Sequence, residues 1–168
     1  FELAEAALPE ISGNVAVLGQ GSILRQYHVG VNGASLSVAS TGRLELHHVA
    51  FESAAGIGRA IVSVGRVSIN DSRFGVAGGE GGGVYNVGLL QVIRSRFDGL
   101  KYFSTNDPGA AIFNGGTATV TCAAFADGLA ERGGAIFNST TGNLRVADSA
   151  FTGAQANGGG AIFNDGDA

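Results

Sequence analysis

The 168-residue chain has no methionine and no tryptophan, and it contains one cysteine and two prolines. A single Cys122 excludes an internal disulfide framework and a cysteine-based zinc site. No apolar run reaches the roughly 18 residues that a membrane-spanning helix needs, so we expect no membrane span. The missing methionine, even at the initiator position, indicates that a leader was removed or that the chain is part of a longer protein. We therefore expect a secreted protein.

Charged residues are also scarce: they make up 14 % of the chain, about half the usual share. The formal net charge of −4 makes nucleic acid an unfavourable partner. Apolar residues reach 45 %, which is enough to fill a core and argues against disorder. The surface must then consist mainly of small, uncharged polar residues, a composition typical of extracellular or cell-wall proteins.

Glycine, with 29 residues, is abundant and marks an internal repeat. A first motif reads Gly-Gly-Val-Tyr-Asn at 82–86, Ala-Ala-Ile-Phe-Asn at 110–114, and Gly-Gly-Ala-Ile-Phe-Asn at 133–138 and 159–164. A second motif, which ends in Phe, lies at 72–74, 95–97, 123–125 and 149–151. Two motifs that recur in a fixed order every 23 to 28 residues predict stacked repeat units.

The aligned copies predict three short strands in each repeat. The first strand carries an aliphatic column that we assign to the interior: Val38, Ile61, Val84, Ile112, Ile136 and Ile162. The second strand alternates apolar and polar residues, as in Leu44-Glu45-Leu46, which indicates one buried face. The third strand contains a column of rings: Phe51, Phe74, Phe97, Phe125 and Phe151. This pattern predicts an all-β chain folded as a parallel β-helix of about six or seven turns.

A polar column follows the first strand. It consists of Ser40, Ser63, Asn86, Asn114, Asn138 and Asn164. Asn at a strand end tolerates left-handed backbone and bonds local backbone groups, and stacked Asn side chains can bond each other. We interpret the four asparagines as a structural ladder and not as catalytic groups. Ser72, Ser95 and Ser149 are expected to be buried and hydrogen-bonded in a turn.

With these motifs placed, the chain resembles the secreted right-handed parallel β-helix repeat proteins. Its repeats are similar to those of polymorphic outer-membrane proteins and of autotransporter passengers of bacteria. The resemblance covers nearly the whole chain, and the segment 8–15 looks like the one that opens the helix in these proteins. It implies a right-handed helix and a surface or extracellular location. We expect one β-helix domain over 1–168, with 1–35 as the opening turn and 36–168 as the repeats.

A charged cluster on one face is a candidate binding site. It combines Asp71, Arg73, Arg94 and Arg96. β-Helix polysaccharide lyases use such a mixture of acids, a base and cations, so one hypothesis is a small site for an acidic glycan. The alternative is a solvated ladder of ion pairs, with Asp71 beside Arg94 on the next turn.

An aromatic column is the second candidate. Tyr85, Phe113, Phe137 and Phe163 each flank the interior aliphatic column by one residue, so alternation directs them outward. An exposed stripe of stacked rings would be a contact surface for another subunit, a cell wall or a flat sugar. The alternatives are that loops fold over the stripe, or that the rings belong to the core.

The ends of the chain offer a third hypothesis. The chain starts with strand-like Phe1-Glu2-Leu3, with no capping helix before it, and stops at Asp165-Gly166-Asp167-Ala168, where the next strand is expected to begin. Open solenoid ends can pair with other chains, which predicts end-to-end association into filaments. The alternative is a fragment whose ends have no function.

Together these features favour a non-catalytic extracellular structural or surface protein, with no cofactor and no metal. The expected partners are other copies of the chain, in head-to-tail or lateral assembly, and a cell-surface glycan or a host or cell-wall receptor. A carbohydrate-active enzyme or glycan-binding protein, similar to a polysaccharide lyase and acting on an acidic polysaccharide, is the alternative.

Overall fold

A computed structural model describes residues 2–3, 8–26, 33–53, 58–76, 82–102 and 109–168. Within these ranges the chain forms β-strands and turns and no helix. The strands are β1 (Glu2–Leu3), β2 (Asn14–Leu18), β3 (Ile23–Gln26), β4 (Gly33–Val38), β5 (Arg43–His47), β6 (Ala50–Ser53), β7 (Gly58–Ser63), β8 (Arg66–Asn70), β9 (Arg73–Val76), β10 (Gly82–Asn86), β11 (Leu89–Ile93), β12 (Arg96–Asp98), β13 (Lys101–Tyr102), β14 (Ile112–Asn114), β15 (Thr117–Thr121), β16 (Ala124–Ala126), β17 (Leu129–Arg132), β18 (Ile136–Asn138), β19 (Asn143–Ala147), β20 (Ala150–Thr152), β21 (Gln155–Gly158) and β22 (Ile162–Asn164).

These strands form parallel sheets in which hydrogen-bonded neighbours come from successive turns of the chain. Sheet 1 contains β4, β7, β10, β14, β18 and β22, and sheet 2 contains β2, β5, β8, β11, β15 and β19. Sheet 3 contains β1, β3, β6, β9, β12, β16 and β20, and a small sheet 4 contains β13, β17 and β21. The chain visits sheets 1, 2 and 3 in this order in each turn, so the predicted parallel β-solenoid is confirmed. It has about five turns and not the six or seven that the repeat predicted.

The core fills the space between the three long sheets. In sheet 2, Leu44 pairs with Val67 and Leu46 with Ile69, and all four side chains are buried. In sheet 3, the predicted phenylalanine column forms a stack of five rings with neighbouring centroids 4.8 to 5.5 Å apart. The strand spacing of about 4.8 Å sets this distance, because each ring lies directly above its equivalent in the previous turn.

The predicted alignment of sheet 1 was wrong in its first strand. Leu36, not Val38, lies opposite Ile61, and Val38 lies opposite Ser63, where the sequence alignment placed Ser40. The turn after β4 contains four residues, 39–42, whereas the turn after β7 contains two, 64–65. The sequence alignment gave both connections the same length, and this placed the residues of β4 two positions away from their true partners in β7. The other five members of the aliphatic column are aligned as predicted.

Each strand of sheet 2 after β2 is directly preceded by a glycine, and an equivalent glycine follows β22 at the C-terminal end. The column consists of Gly42, Gly65, Gly88, Gly116, Gly142 and Gly166. A Cβ atom on Gly88 would collide with the carbonyl oxygen of Gly65 in the previous turn. Close stacking of backbone therefore requires glycine here. The segment Asp165-Gly166-Asp167 is one copy of this turn.

Candidate functional site

The corner between sheets 2 and 3 directs a side chain outward in each turn. Its residues have left-handed backbone conformations, with φ between 46° and 57°: His48, Asp71, Arg94, Cys122 and Asp148. Few residues other than glycine adopt these angles. All five side chains are exposed or half-buried, so the corner presents a row of mostly polar groups along one edge of the solenoid.

Asp71 and Arg94 occupy this corner in successive turns and form a two-pronged ion pair. Arg94 Nε donates to Asp71 Oδ1 at 2.7 Å, and Arg94 Nη2 donates to Oδ2 at 2.8 Å. The hydrogen bond from Arg94 lowers the pKa of the Asp71 carboxyl below its usual value, and partial desolvation acts in the opposite direction. Hydrogen bonding to Asp71 raises the pKa of the Arg94 guanidinium. The predicted contact between these two residues is confirmed.

Arg73 and Arg96 lie opposite each other on the outer face of sheet 3. Both bind Asp98: Arg73 Nε is 2.9 Å from Oδ2, and Arg96 Nε is 2.6 Å from Oδ1. Asp98 thereby offsets the repulsion between two like charges that face each other across a strand pair. The hydrogen bond to Asp98 also raises the pKa of the Arg96 guanidinium.

The structure therefore brings the four predicted patch residues onto one face, where they form two ion-paired groups. Asp71 and Arg94 form one group, and Arg73 and Arg96 share Asp98 in the other. Sequence reasoning missed Asp98. The signal was present, because Arg96 and Asp98 are two residues apart in one strand and must share a face.

The predicted asparagine ladder is confirmed. Nδ2 of Asn86, Asn114 and Asn138 each donates to Oδ1 of the next asparagine, at 2.8, 2.7 and 2.7 Å, and the last acceptor is Asn164. The three donors are completely buried, and each also donates to a glycine carbonyl in its own turn. At the other end of the ladder lies Ser63, whose buried Oγ has no hydrogen-bond partner among the described residues. The ladder thus joins successive turns of the solenoid and supplies hydrogen bonds to glycine carbonyls in the loops between sheets 1 and 2.

A second set of hydrogen bonds joins the turns at the corner of sheet 3. Ser72, Ser95 and Ser149 accept from the backbone N–H of Val49, Ser72 and Ala123, respectively, in the previous turn. Each hydroxyl also donates to the carbonyl two residues before it. Ser72 and Ser95 are buried and Ser149 is half-buried, so the predicted structural role of these serines is confirmed.

The predicted exposed aromatic stripe was wrong for two of its four residues. Phe113 and Phe137 are only 8 % and 5 % exposed, and Tyr85 and Phe163 are half-buried. The four rings do stack on the outer side of sheet 1, with centroids 4.5, 5.6 and 5.3 Å apart. Their neighbours Val84, Ile112 and Ile136, which are completely buried, point into the core.

Sheet 4 is the reason that this stripe is not a free surface. The guanidinium carbon of Arg132, on β17, lies 4.9 Å from the centroid of Phe137 and 5.2 Å from that of Phe163. A Cβ atom on Gly158, on β21, would lie 3.4 Å from the Phe163 ring. Further chain therefore covers Phe137 and Phe163, as one alternative expected, although the cover consists of strands and not of loops. The sequence pattern had predicted only three strands in each turn.

No group of three or more His, Cys, Asp or Glu side chains in the described ranges could hold a metal ion. None of the described residues belongs to a helix long and apolar enough to cross a membrane. Comparisons of the chain with models of protein families, with curated proteins and with solved structures found no match.

Proposed function

We propose that the protein is a non-catalytic extracellular β-solenoid that acts as a structural or surface element. The observation that carries this proposal is that several kinds of side-chain contact continue from each turn of the solenoid to the next. Stacked rings, buried amides and ion pairs each join one turn to the next. A chain of this kind is a scaffold whose stability comes from contacts between neighbouring turns and whose sides remain available for binding.

End-to-end association of copies belongs to the proposal. The strands of each sheet all run parallel, so the hydrogen bonds that join two turns can also join two copies. Such a contact uses different surfaces on the two copies and does not close, so it produces a filament. The sides of the filament would contact a cell-surface glycan or a host or cell-wall receptor.

The ion pairs favour this function over the alternative of a polysaccharide lyase. A general base works best when its pKa lies near the working pH. The hydrogen bond from Arg94 lowers the pKa of Asp71, so this carboxylate is a weaker base than an unpaired one. Arg73 and Arg96 both form ion pairs with Asp98, so their positive charges are partly neutralised before any substrate binds.

Negative-stain electron microscopy across a concentration series tests the assembly. We expect fibres with an axial repeat of about 24 Å, the height of about five turns at about 4.8 Å each. Phe151→Glu, which places a charge at the half-buried end of the ring stack, should abolish fibres, whereas Thr152→Glu on the exposed outer face should not. Short rods at every concentration would refute end-to-end association.

A cleavage assay tests the non-catalytic part of the proposal. Polygalacturonate, a polymer in which every sugar carries a carboxylate, is incubated with the protein, and new unsaturated or reducing ends are measured. We expect none above the level of an Asp71→Asn variant. Cleavage that this variant loses would replace the proposal by the lyase alternative.

A further inference from the structure

The outer face of sheet 2 is cationic, although the chain as a whole is acidic. Arg43, Arg66 and Arg145 alternate with buried residues of their strands and therefore point outward. These are three of the ten Lys and Arg residues, whereas two of the fourteen acidic residues, Glu45 and Asp167, lie on this face among the described residues; Asp167 pairs with Asn143 at its last edge. The local formal charge is +1 on a chain with a net charge of −4.

Two of these arginines lie opposite each other. Arg43 and Arg66 are partners in the β5–β8 register, and like charges in such a position destabilise a sheet. Arg43 is neutralised by Glu45, because its Nε donates to Oε1 at 2.7 Å. The exposed side chains of Arg66 and Arg145 form no ion pair or hydrogen bond with any described residue. Within the described ranges, two guanidinium groups on this face are thus without an ion-pair partner.

A shallow depression adjoins Arg66. It has a volume of about 230 Å³, and its outward lining residues are Arg43, Arg66, Ser68, Leu89, Gln91, Thr117 and Thr119. This volume is below the roughly 300–1,000 Å³ of pockets that enclose a whole small ligand. The depression is suited to one unit of a longer chain, with hydroxyl and amide groups for hydrogen bonds and the 42 % exposed Leu89 for an apolar ring face.

The sheet continues from this depression towards Arg145. Three strand steps separate Arg66 on β8 from Arg145 on β19, a distance of about 14 Å along the axis at about 4.8 Å for each step. Neutral donors and acceptors, among them Gln91 and Thr119, occupy the steps between the two cations. The face therefore fits an extended polymer that carries widely spaced anionic groups and many hydroxyls. Double-stranded DNA, with one charge for about every 1.7 Å, has a far higher charge density.

We infer that the outer face of sheet 2 binds a carboxylated polysaccharide that lies along the solenoid axis. The carboxylates contact Arg66 and Arg145, and the sugar hydroxyls contact the polar side chains between them. This inference rests on the proposed extracellular function, for which it names the partner class. It concerns a different face from the corner that carries Asp71 and Arg94.

Isothermal titration calorimetry of the full chain with polygalacturonate tests the inference. Arg66→Gln and Arg145→Gln should each weaken binding about tenfold, the effect of losing one hydrogen-bonded charge contact. Lys101→Gln removes one positive charge from an exposed side chain of sheet 4, outside both arginine-bearing faces, and serves as the control, with an affinity within about twofold of the original at equal ionic strength. Circular dichroism melts confirm that each variant is folded.

Two further probes separate the possible polyanions. Fully methyl-esterified polygalacturonate has the same sugars without charge and should not bind, and duplex DNA should bind more weakly than polygalacturonate. The inference is overturned by absent binding of polygalacturonate, by equal losses in all three variants, or by tighter binding of DNA. Fibres without polymer binding would refute this inference alone, whereas cleavage of the polymer would refute the proposed function.

Discussion

At the scale of single residues, Asp71 shows how a corner side chain joins two turns. Its left-handed backbone directs the carboxylate outward, and Arg94 in the next turn meets it from the equivalent position. The side chains are 29 % and 61 % exposed, so solvent screens their attraction. The pair therefore adds modestly to the stability that the core provides. Its contribution depends on pH, because the contact with Arg94 requires an ionised carboxylate.

The sign of this dependence follows from the lowered pKa of Asp71. Stability from the pair is fully present above the unfolded pKa of about 3.9 and is lost as the pH falls through the lower folded value. Arg94→Gln should reduce the thermal midpoint at pH 7, and its difference from the original protein should disappear in strong acid. Arg145→Gln, whose arginine has no acidic partner among the described residues, should show a difference that does not change with pH. A constant difference for Arg94→Gln would contradict this assignment.

At the scale of the element, sheet 4 converts a stripe of rings from surface into interior. Arg132 on β17 lies over two neighbouring rings. Its aliphatic stem can cover apolar surface while its guanidinium group stays in contact with water. Phe137 and Phe163 thus pack between the solenoid and an added strand layer. The three strands of this layer come from the segments between sheet 3 and the next turn of sheet 1, so they extend three turns without altering the core.

Arg132→Ala should therefore cost more stability than an ordinary surface change. A cation over an aromatic face contributes about 0.5–2 kcal/mol, so we expect a loss of about 1 kcal/mol in urea unfolding. The same variant should increase the binding of a hydrophobic dye, because Phe137 and Phe163 become accessible. Gln155→Ala, at an exposed side chain of β21, is the control and should change neither quantity. Equal effects of the two substitutions would show that the ring contacts do not stabilise the fold.

The elements differ in how well the sequence predicted them, and the reason is physical. Sheets 2 and 3 were predicted correctly because one inward column must stay apolar in every turn, as Leu46 and Phe74 do. Sheet 1 was misaligned at Val38 because packing of the core does not fix the length of the connection between the strands of sheets 1 and 2. Sheet 4 was missed because β17 and β21 share little sequence: residues as different as Arg132 and Gly158 lie against the rings. For the charged face, the pair of Asp71 and Arg94 was predicted, but Asp98 was not, since its equivalents in the two neighbouring turns, Gly75 and Ala126, are not acidic.

At the scale of the whole molecule, stability is arranged along one axis. Each ring of the inner stack contacts only the rings of the turns before and after it, as Phe97 does with Phe74 and Phe125. The same holds for the asparagine ladder and the corner ion pairs. Repeat chains of this kind have stabilities that are sums of contributions from each unit and from each interface between units. A defect should consequently act on its neighbours first.

Phe97→Ala tests this one-dimensional arrangement. The ring is 1 % exposed and stacks on both sides, so its removal should cost about 3–5 kcal/mol. Phe151→Ala, at a half-buried ring with a described neighbour on one side, should cost clearly less. In hydrogen exchange measured by mass spectrometry, Phe97→Ala should reduce protection most in β9, β12 and β16, because local opening follows nearest-neighbour contacts. An equal loss of protection in β19 and β22 would instead show that all turns unfold as one cooperative unit, and stability would then not be a sum over interfaces.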